Sequence, residues 1–218
     1  MNTQEEKFES IRSRVASSLP PGLKPPLLIG VTKNHSPEQI FQFYNLGMRD
    51  FGENKVQEAL PKLEALPKDI NWHFIGHLQS NKVREVVGKF KLIHSVDSIK
   101  LMEKINSRAQ ELGLIQDILL EVNVSGEESK FGLKADEVKG VLDGAGELSA
   151  IKVLGLMTMA PYDSSESEQS RIFSSLRKLA HSLSLSELSM GMSDDFEIAV
   201  KEGATMVRIG TALFGPRG

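Results

Sequence analysis

The residue that first suggests chemistry in this sequence is Lys33. It follows the apolar residues 27–31, which predict a β-strand, and residues 34–37 predict a loop and the start of a helix. In parallel α/β folds, ligands bind at the carboxyl ends of the strands. A lysine there either extends its amine to solvent at the rim or has the amine used in chemistry. Lys33 alone favours the first interpretation, and a second stretch near the C-terminus reverses that preference.

Glycines and hydroxyls cluster in the last part of the chain. Gly191 and Ser193 precede one predicted helix, and Gly210 and Thr211 follow the last predicted strand. Glycine allows a ligand to approach the backbone closely, and hydroxyl and N–H groups donate hydrogen bonds to phosphate oxygens. If these loops meet Lys33 in the fold, the site suits an aldehyde that carries a phosphate. Pyridoxal 5'-phosphate (PLP) is the commonest such ligand, and Lys33 is the residue that could hold it as a Schiff base.

The elements that must bring these residues together alternate along the whole chain. Short apolar runs predict strands, and each is followed by a stretch with helical spacing and a capping residue, such as Ser36 with Gln39 or Ser165 with Glu168. Eight such units in 218 residues predict an α/β fold, a single (β/α)8 TIM-type barrel of minimal length. In a barrel, every strand ends at the same mouth, so Lys33 and the glycine loops would converge.

An additional helix is predicted before the first strand. Phe8, Ile11, Val15 and Leu19 recur at helical spacing, and Pro20 ends the pattern. The segment lacks the apolar centre of a secretory signal, and no apolar run in the chain is long enough to span a bilayer. We therefore expect residues 1–218 to form one domain, a barrel with an extra N-terminal helix.

The composition excludes several classes of function. The sequence has 26 basic and 29 acidic residues, for a formal net charge of -3, and no basic stretch interleaved with aromatic residues. Nucleic acid and membranes are therefore not expected as partners. There is no cysteine, so disulfides, thiolate metal sites and cysteine nucleophiles are excluded, and a cytoplasmic protein is expected.

Other titratable residues have ordinary structural interpretations. His73, His77 and His94 do not have the spacing of helix-borne metal ligands, so we expect barrel packing or hydrogen bonding at the rim and no metal site. Asp194 and Asp195 precede a predicted helix and are interpreted as cap and dipole partners.

Two lysines fall in loops near the predicted mouth of the barrel. Lys82 and Lys130 are interpreted as solvated surface charges, with a part in cofactor entry or transfer as the alternative. The sequence leaves their roles open.

Several ordered strings carry a resemblance to a known family over nearly the full length. They are VTK (31–33), FGEN (51–54), VQE (56–58), WHFIG (72–76), LQSNK (78–82), GLM (155–157), GMSDD (191–195) and VRIGT (207–211). On these strings the chain resembles the YggS/PROSC family of PLP homeostasis proteins. That barrel is similar to the N-terminal domain of alanine racemase, a fold type III PLP barrel.

The resemblance implies a set of cofactor-binding residues, whose members contact different parts of PLP. These are Lys33 for the Schiff base, Asn54 near the ring, Ser193, Gly210 and Thr211 at the phosphate, and Arg208 at the pyridine nitrogen. A guanidinium has no proton acceptor, so the ring nitrogen opposite it stays unprotonated and PLP is a weaker electron sink. An ion pair between Arg208 and a neighbouring carboxylate is the alternative for that residue.

Three functions remain open at this point. The favoured one is a PLP carrier or regulator in vitamin B6 homeostasis, expected to be a monomer that delivers PLP to apo-enzymes, without robust turnover and with no assured catalytic residue. The alternative is a PLP-dependent amino-acid racemase with Lys33 as base and water or Tyr162 opposite. Racemisation needs proton donors on both faces, and the sequence up to Gly218 shows no second domain that would supply one. The third is a class I aldolase that forms an imine with a phosphosugar.

Overall fold

Eight parallel strands close into one barrel in the computed structural model, which describes residues 3–127 and 131–215. The predicted (β/α)8 barrel is confirmed. The strands are Leu27–Val31 (β1), Asp50–Glu53 (β2), Asn71–Phe74 (β3), Leu92–Val96 (β4), Gln116–Glu121 (β5), Ile151–Met157 (β6), Glu187–Ser189 (β7) and Met206–Ile209 (β8). Each strand pairs in parallel with the next, and β8 pairs with β1.

The helices of the described part of the chain lie in sequence between these strands. They are Thr3–Ser18 (α1), Pro37–Asn45 (α2), Val56–Ala65 (α3), Val83–Val86 (α4), Ile99–Leu112 (α5), Val138–Ala145 (α6), Glu166–Ser182 (α7), Phe196–Lys201 (α8) and Thr211–Phe214 (α9). A short 3-10 turn, Ser80–Lys82, precedes α4. Several elements are shorter than their sequence patterns predict, because the ends of the apolar runs lie in the loops at the rim.

The register of the barrel closure determines which loops are neighbours. Leu27 pairs with Met206 and Gly30 pairs with Ile209 across β1 and β8. Because the two strands are parallel, their carboxyl ends lie at the same end of the barrel. Lys33 and Gly210 therefore emerge side by side, although they lie near opposite ends of the sequence.

The predicted helix caps of α2 and α7 are confirmed, and the one predicted for α8 is wrong. Ser36 and Gln39 form a complete capping box, and Ser165 accepts a hydrogen bond at the start of α7. Asp195, in contrast, stands at the N-cap position of α8 without capping it and accepts a hydrogen bond from the N–H of Met192. Its carboxylate therefore stabilises the loop before the helix, which is where the sequence interpretation was wrong.

The extra N-terminal helix is confirmed as α1. It buries Phe8, Ile11 and Val15 against the barrel's outer layer and packs on α8 and α9. Arg14 forms a two-bond ion pair with Glu197, at 2.7 and 3.2 Å, which ties α1 to α8. The helix thus supports the two short helices that follow β7 and β8. Within residues 3–127 and 131–215, no helix has the length and apolar character needed to cross a bilayer.

Candidate functional site

One cavity of about 540 Å³ opens at the carboxyl ends of β1 and β8. Its lining comes from both ends of the chain and from the loops after β6 and β7. The lining residues are Val31, Lys33, His35, Tyr162, Met192, Ser193, Asp194, Arg208, Gly210, Thr211 and Gly215. The structure therefore brings Lys33, Ser193, Arg208, Gly210 and Thr211 together around one space.

The turn that carries Lys33 is held on both sides by the neighbouring strand and helix. Before it, the Thr32 carbonyl accepts a hydrogen bond from Lys62 of α3 at 2.8 Å, and the Thr32 N–H donates to Gly52 of β2. After it, Asn34 adopts a left-handed conformation with φ of 62°, and its N–H donates to Glu58 of α3. The backbone at Lys33 is thus held in place from both sides.

A buried ion pair lies directly beneath this turn. Lys62 Nζ is 2.6 Å from Glu53 Oε1, and the Thr32 hydroxyl donates to the same carboxylate oxygen at 2.5 Å. Glu53 is fully buried, and its burial raises the pKa of its carboxyl group, although the bonds from Lys62 and Thr32 act in the opposite direction. The second Glu53 oxygen, Oε2, has no hydrogen-bond partner among the described residues. Breaking this pair would leave an uncompensated buried charge next to the Lys33 turn.

On the far side of the cavity, Ser193 organises the backbone after β8. Its hydroxyl oxygen accepts hydrogen bonds from the N–H groups of Gly210, at 3.2 Å, and Ala212, at 3.3 Å. The Ser193 oxygen is therefore occupied as an acceptor, and its single hydrogen can be donated to a ligand. Together with Thr211, this loop offers donors suited to a phosphate.

Arg208 reaches the cavity from inside the barrel. It is 3% exposed, and its guanidinium donates to the Ser189 hydroxyl at 2.6 Å and to the Thr158 carbonyl at 3.0 Å. Burial lowers the pKa of Arg208 to about 10, while Asp195 and Glu121 act to raise it. Arg208 is therefore a cation at neutral pH and presents only donors to the cavity.

The alternative for Arg208, an ion pair at the rim, does not describe its surroundings. Within the part of the chain that the structure describes, its guanidinium makes no nitrogen-to-oxygen contact of 4.0 Å or less with a carboxylate. A hydroxyl and a main-chain carbonyl hold it in place.

Asn54 is not brought to this cavity. It follows β2 and lines a separate space of about 100 Å³, together with His77 and Lys82. Its carbonyl oxygen, Oδ1, is buried and has no hydrogen-bond partner within residues 3–127 and 131–215. Lys82 is not a freely solvated charge, because its amine lies 2.8 Å from Glu85 and its side chain is only 28% exposed. Lys130 lies outside the described residues.

The barrel interior contains a network of polar residues that the sequence interpretation identified only in part. His73 and His94, for which barrel packing was one of the two expectations, lie buried inside the barrel and are hydrogen-bonded to each other at 3.0 Å. Asp50 and Ser189 join the same network and were not singled out from the sequence. The signal was present as single polar residues within otherwise apolar strands, because alternate residues of a strand face the same side.

Comparison with known proteins agrees with the fold. Residues 22–218 match the family model described as alanine racemase, N-terminal domain, and the chain belongs to this family of barrels.

The similarity extends to particular relatives. A pyridoxal phosphate homeostasis protein of Aquifex aeolicus is 48% identical over 197 residues, which are 87% of this chain and 86% of that protein. PipY of Synechococcus elongatus, solved without PLP, is 40% identical with a TM-score of 0.90, covering 98% of this chain and 100% of PipY. The same PipY solved with PLP bound gives 39% identity and a TM-score of 0.86, with the same coverage. Within the barrel family, the chain is thus a member of the pyridoxal phosphate homeostasis proteins.

Proposed function

We propose that this chain binds PLP in the cavity at the ends of β1 and β8 and takes part in PLP homeostasis by holding and releasing it. The observation that carries the proposal is the shared lining: Lys33 and the Ser193, Gly210 and Thr211 loops border one space of about 540 Å³. Pockets for small ligands span about 300 to 1,000 Å³, so the size suits a phosphorylated pyridine. The names of the relatives and the PLP-bound PipY structure support the same ligand.

Each side of the cavity has groups that suit a different part of PLP. Bound PLP supplies an aldehyde that can condense with an amine, with release of water, and a ring that can take up electrons. Lys33 carries the amine for that Schiff base. Ser193, Gly210 and Thr211 offer a hydroxyl hydrogen, close backbone approach and a second hydroxyl to the phosphate. Asn54 near the ring stays a prediction, since it borders the separate, smaller space.

Arg208 supports the assignment of the ring nitrogen. It is held from behind by Ser189 and Thr158, and it faces the cavity as a donor without a proton acceptor. A pyridine nitrogen that receives a hydrogen bond from guanidinium has no source of a full proton there. The cofactor would then be a weaker electron sink than one opposed by a carboxylate.

The lining of the cavity supports binding over turnover. Racemisation requires a positioned proton donor on each face of the substrate, and Lys33 can serve one. Tyr162 borders the cavity as the second candidate, but 90% of the residue is exposed, so packing does not hold its hydroxyl in place. A racemase remains the second candidate function because Tyr162 lines the same cavity as Lys33 and carries a hydroxyl that could donate a proton. Delivery of PLP to apo-enzymes, the monomeric state and the cytoplasmic location stay predictions.

The proposal is tested by the colour of the protein and by the site of modification. Wild-type protein incubated with PLP is expected to turn yellow, and borohydride followed by peptide mass spectrometry is expected to place the adduct on Lys33. Lys33→Ala should stay colourless, and Lys178→Ala, on the exposed face of α7, should behave as wild type. Wild-type protein that binds no PLP, or an adduct on another lysine, contradicts the proposal.

Two further outcomes separate the remaining functions. Robust racemisation of an amino acid from an L-amino-acid panel, abolished in Lys33→Ala, would establish the racemase instead of the carrier. Borohydride trapping of a phosphosugar on Lys33, without any yellow PLP form, would establish the aldolase.

A further inference from the structure

A continuous chain of hydrogen bonds crosses the interior of the barrel and ends at Arg208. Asp50 Oδ1 lies 3.0 Å from His73 Nε2, and His73 Nδ1 lies 3.0 Å from His94 Nε2. His94 Nδ1 lies 2.8 Å from Ser189 Oγ, which accepts from Arg208 at 2.6 Å. The five residues come from β2, β3, β4, β7 and β8. We call them the interior chain.

The chemistry of the two ends imposes a direction on the interior chain. Arg208 can only donate, so the Ser189 oxygen must accept from it, and the one Ser189 hydrogen then points to His94 Nδ1. His94 Nδ1 is therefore an acceptor, and a neutral His94 carries its proton on Nε2. That proton is donated to His73 Nδ1, and the His73 proton on Nε2 is donated to the Asp50 carboxylate. One arrangement of protons satisfies every contact.

The reverse arrangement leaves a buried group without a partner. If both rings carried a proton on Nδ1, Ser189 would accept from His94 and from Arg208 together. The Ser189 hydroxyl hydrogen would then have no acceptor among the described residues, since its oxygen is bonded only to those two side chains. Ser189 and His94 are fully buried, so water does not compensate for the loss.

The charges that face the interior chain agree with a neutral His94. Burial is the largest cause that holds the pKa of His94 well below its usual value, and the neighbouring His73 and Arg208 act in the same direction. Arg208 in turn faces the carboxylates of Asp195 and Glu121. Asp50, at the start of β2, accepts the last hydrogen bond of the interior chain, at the end farthest from Arg208.

We propose that Asp50, His73 and His94 are positioning residues, which act through Ser189 to hold Arg208 in one orientation as a hydrogen-bond donor at the cavity. The part of this inference that concerns the cofactor rests on the proposed function, because it assigns the pyridine nitrogen of PLP as the group that Arg208 meets. The arrangement of protons in the interior chain does not depend on the ligand. Through the interior chain, Asp50 at the start of β2 would affect ligand binding at the opposite end of the barrel.

The arrangement can be measured in the protein without ligand. Nitrogen-15 NMR of the imidazole rings at neutral pH should show His73 and His94 with an unprotonated Nδ1 and a protonated Nε2. His181, exposed on α7 and outside the interior chain, serves as the reference ring. A proton on Nδ1 of His73 or of His94 overturns the inference, whether or not the protein binds PLP.

The coupling to the cavity is tested at Asp50, the end of the interior chain that lies farthest from Arg208. Asp50→Asn keeps the size of the side chain and removes its charge, so it should move the His94 ring resonances and weaken PLP binding roughly five- to tenfold, within the range of coupling between distant sites. Asp117→Asn, near the start of β5 and outside the interior chain, should leave both unchanged. Unchanged His94 resonances and PLP affinity in Asp50→Asn overturn the positioning role.

The two proposals fail in distinguishable ways. Protein with the expected ring protonation that binds no PLP would refute the proposed function and leave the interior chain standing. Protein that binds PLP on Lys33 but carries a proton on His94 Nδ1 would refute the interior chain alone.

Discussion

At the scale of single residues, the candidate phosphate site depends on how the Ser193 hydroxyl is used. Its oxygen already accepts hydrogen bonds from the N–H groups of Gly210 and Ala212. Those contacts fix the loop after β8 and orient the remaining hydroxyl hydrogen. Ser193 therefore has two effects on a ligand, one by direct donation and one by shaping the backbone that Thr211 belongs to.

We expect Ser193→Ala and Thr211→Val each to weaken PLP retention by roughly ten- to a hundredfold. A hydrogen bond to a charged group contributes about 1.5 to 3 kcal/mol, and that free energy corresponds to this loss of affinity. Equilibrium dialysis with absorbance detection measures the effect, and Ser182→Ala, at the end of α7, is the control. Unchanged affinity in both cavity variants would remove the phosphate assignment.

At the scale of elements, the barrel depends on close contact between neighbouring strands. Gly155 of β6 packs so closely on the backbone of Glu187 of β7 that a Cβ atom there would overlap with the Glu187 carbonyl. The overlap is with main-chain atoms, so no side-chain rotation can relieve it. Since β7 leads directly into the loop that carries Ser193, the spacing of these two strands also sets the position of the cavity wall.

A pair of glycine substitutions tests this contact. Gly155→Ala should lower the free energy of unfolding by about 3 kcal/mol or more, because the added methyl group forces β6 and β7 apart. Gly140→Ala, inside α6, should raise it by about 0.5 to 1 kcal/mol, because a methyl group there would meet no described atom within 4 Å. Urea denaturation measures both. Equal stability of the two variants would contradict the close packing of β6 on β7.

At the scale of the whole molecule, the barrel interior carries a carboxyl group that makes stability depend on pH. Burial and the nearby Asp97 raise the pKa of Glu121 from 4.5 to about 7, against the opposing effect of Arg208. Between these two values, the folded protein binds a proton that the unfolded chain has released. The free energy of unfolding therefore falls as pH rises through this window.

Glu121→Gln should remove this dependence. At 1.36 kcal/mol for each pH unit between 4.5 and about 7, the contribution of Glu121 amounts to about 3 kcal/mol. Wild-type protein should lose stability of that order as the pH rises from 4.5 to about 7, and the variant should lose much less. Urea denaturation across this range provides the measurement, with Glu103→Gln on the exposed face of α5 as the control. The same decline in Glu121→Gln as in wild type would contradict the assignment to Glu121.

Local patterns in the sequence determine the order of elements and much of the cavity. Capping residues such as Ser36 and Ser165 act on their own helices, so they are readable without tertiary information. The eight alternating units predict the barrel, and the barrel places every strand end at one mouth. Lys33 and the Gly210 loop were predicted to converge on that ground, and they border the same cavity.

What only the tertiary structure decides is which polar side chains meet and what each one bonds. Asp195 follows the pattern of a helix cap, but the fold places a closer donor, the Met192 N–H, beside it. The interior chain joins five strands from Asp50 to Arg208, across most of the sequence, and no local pattern encodes its contacts. The physical reason is that capping and strand alternation act within a few residues, whereas a buried polar group is satisfied by whichever partner the closed barrel brings within about 3 Å.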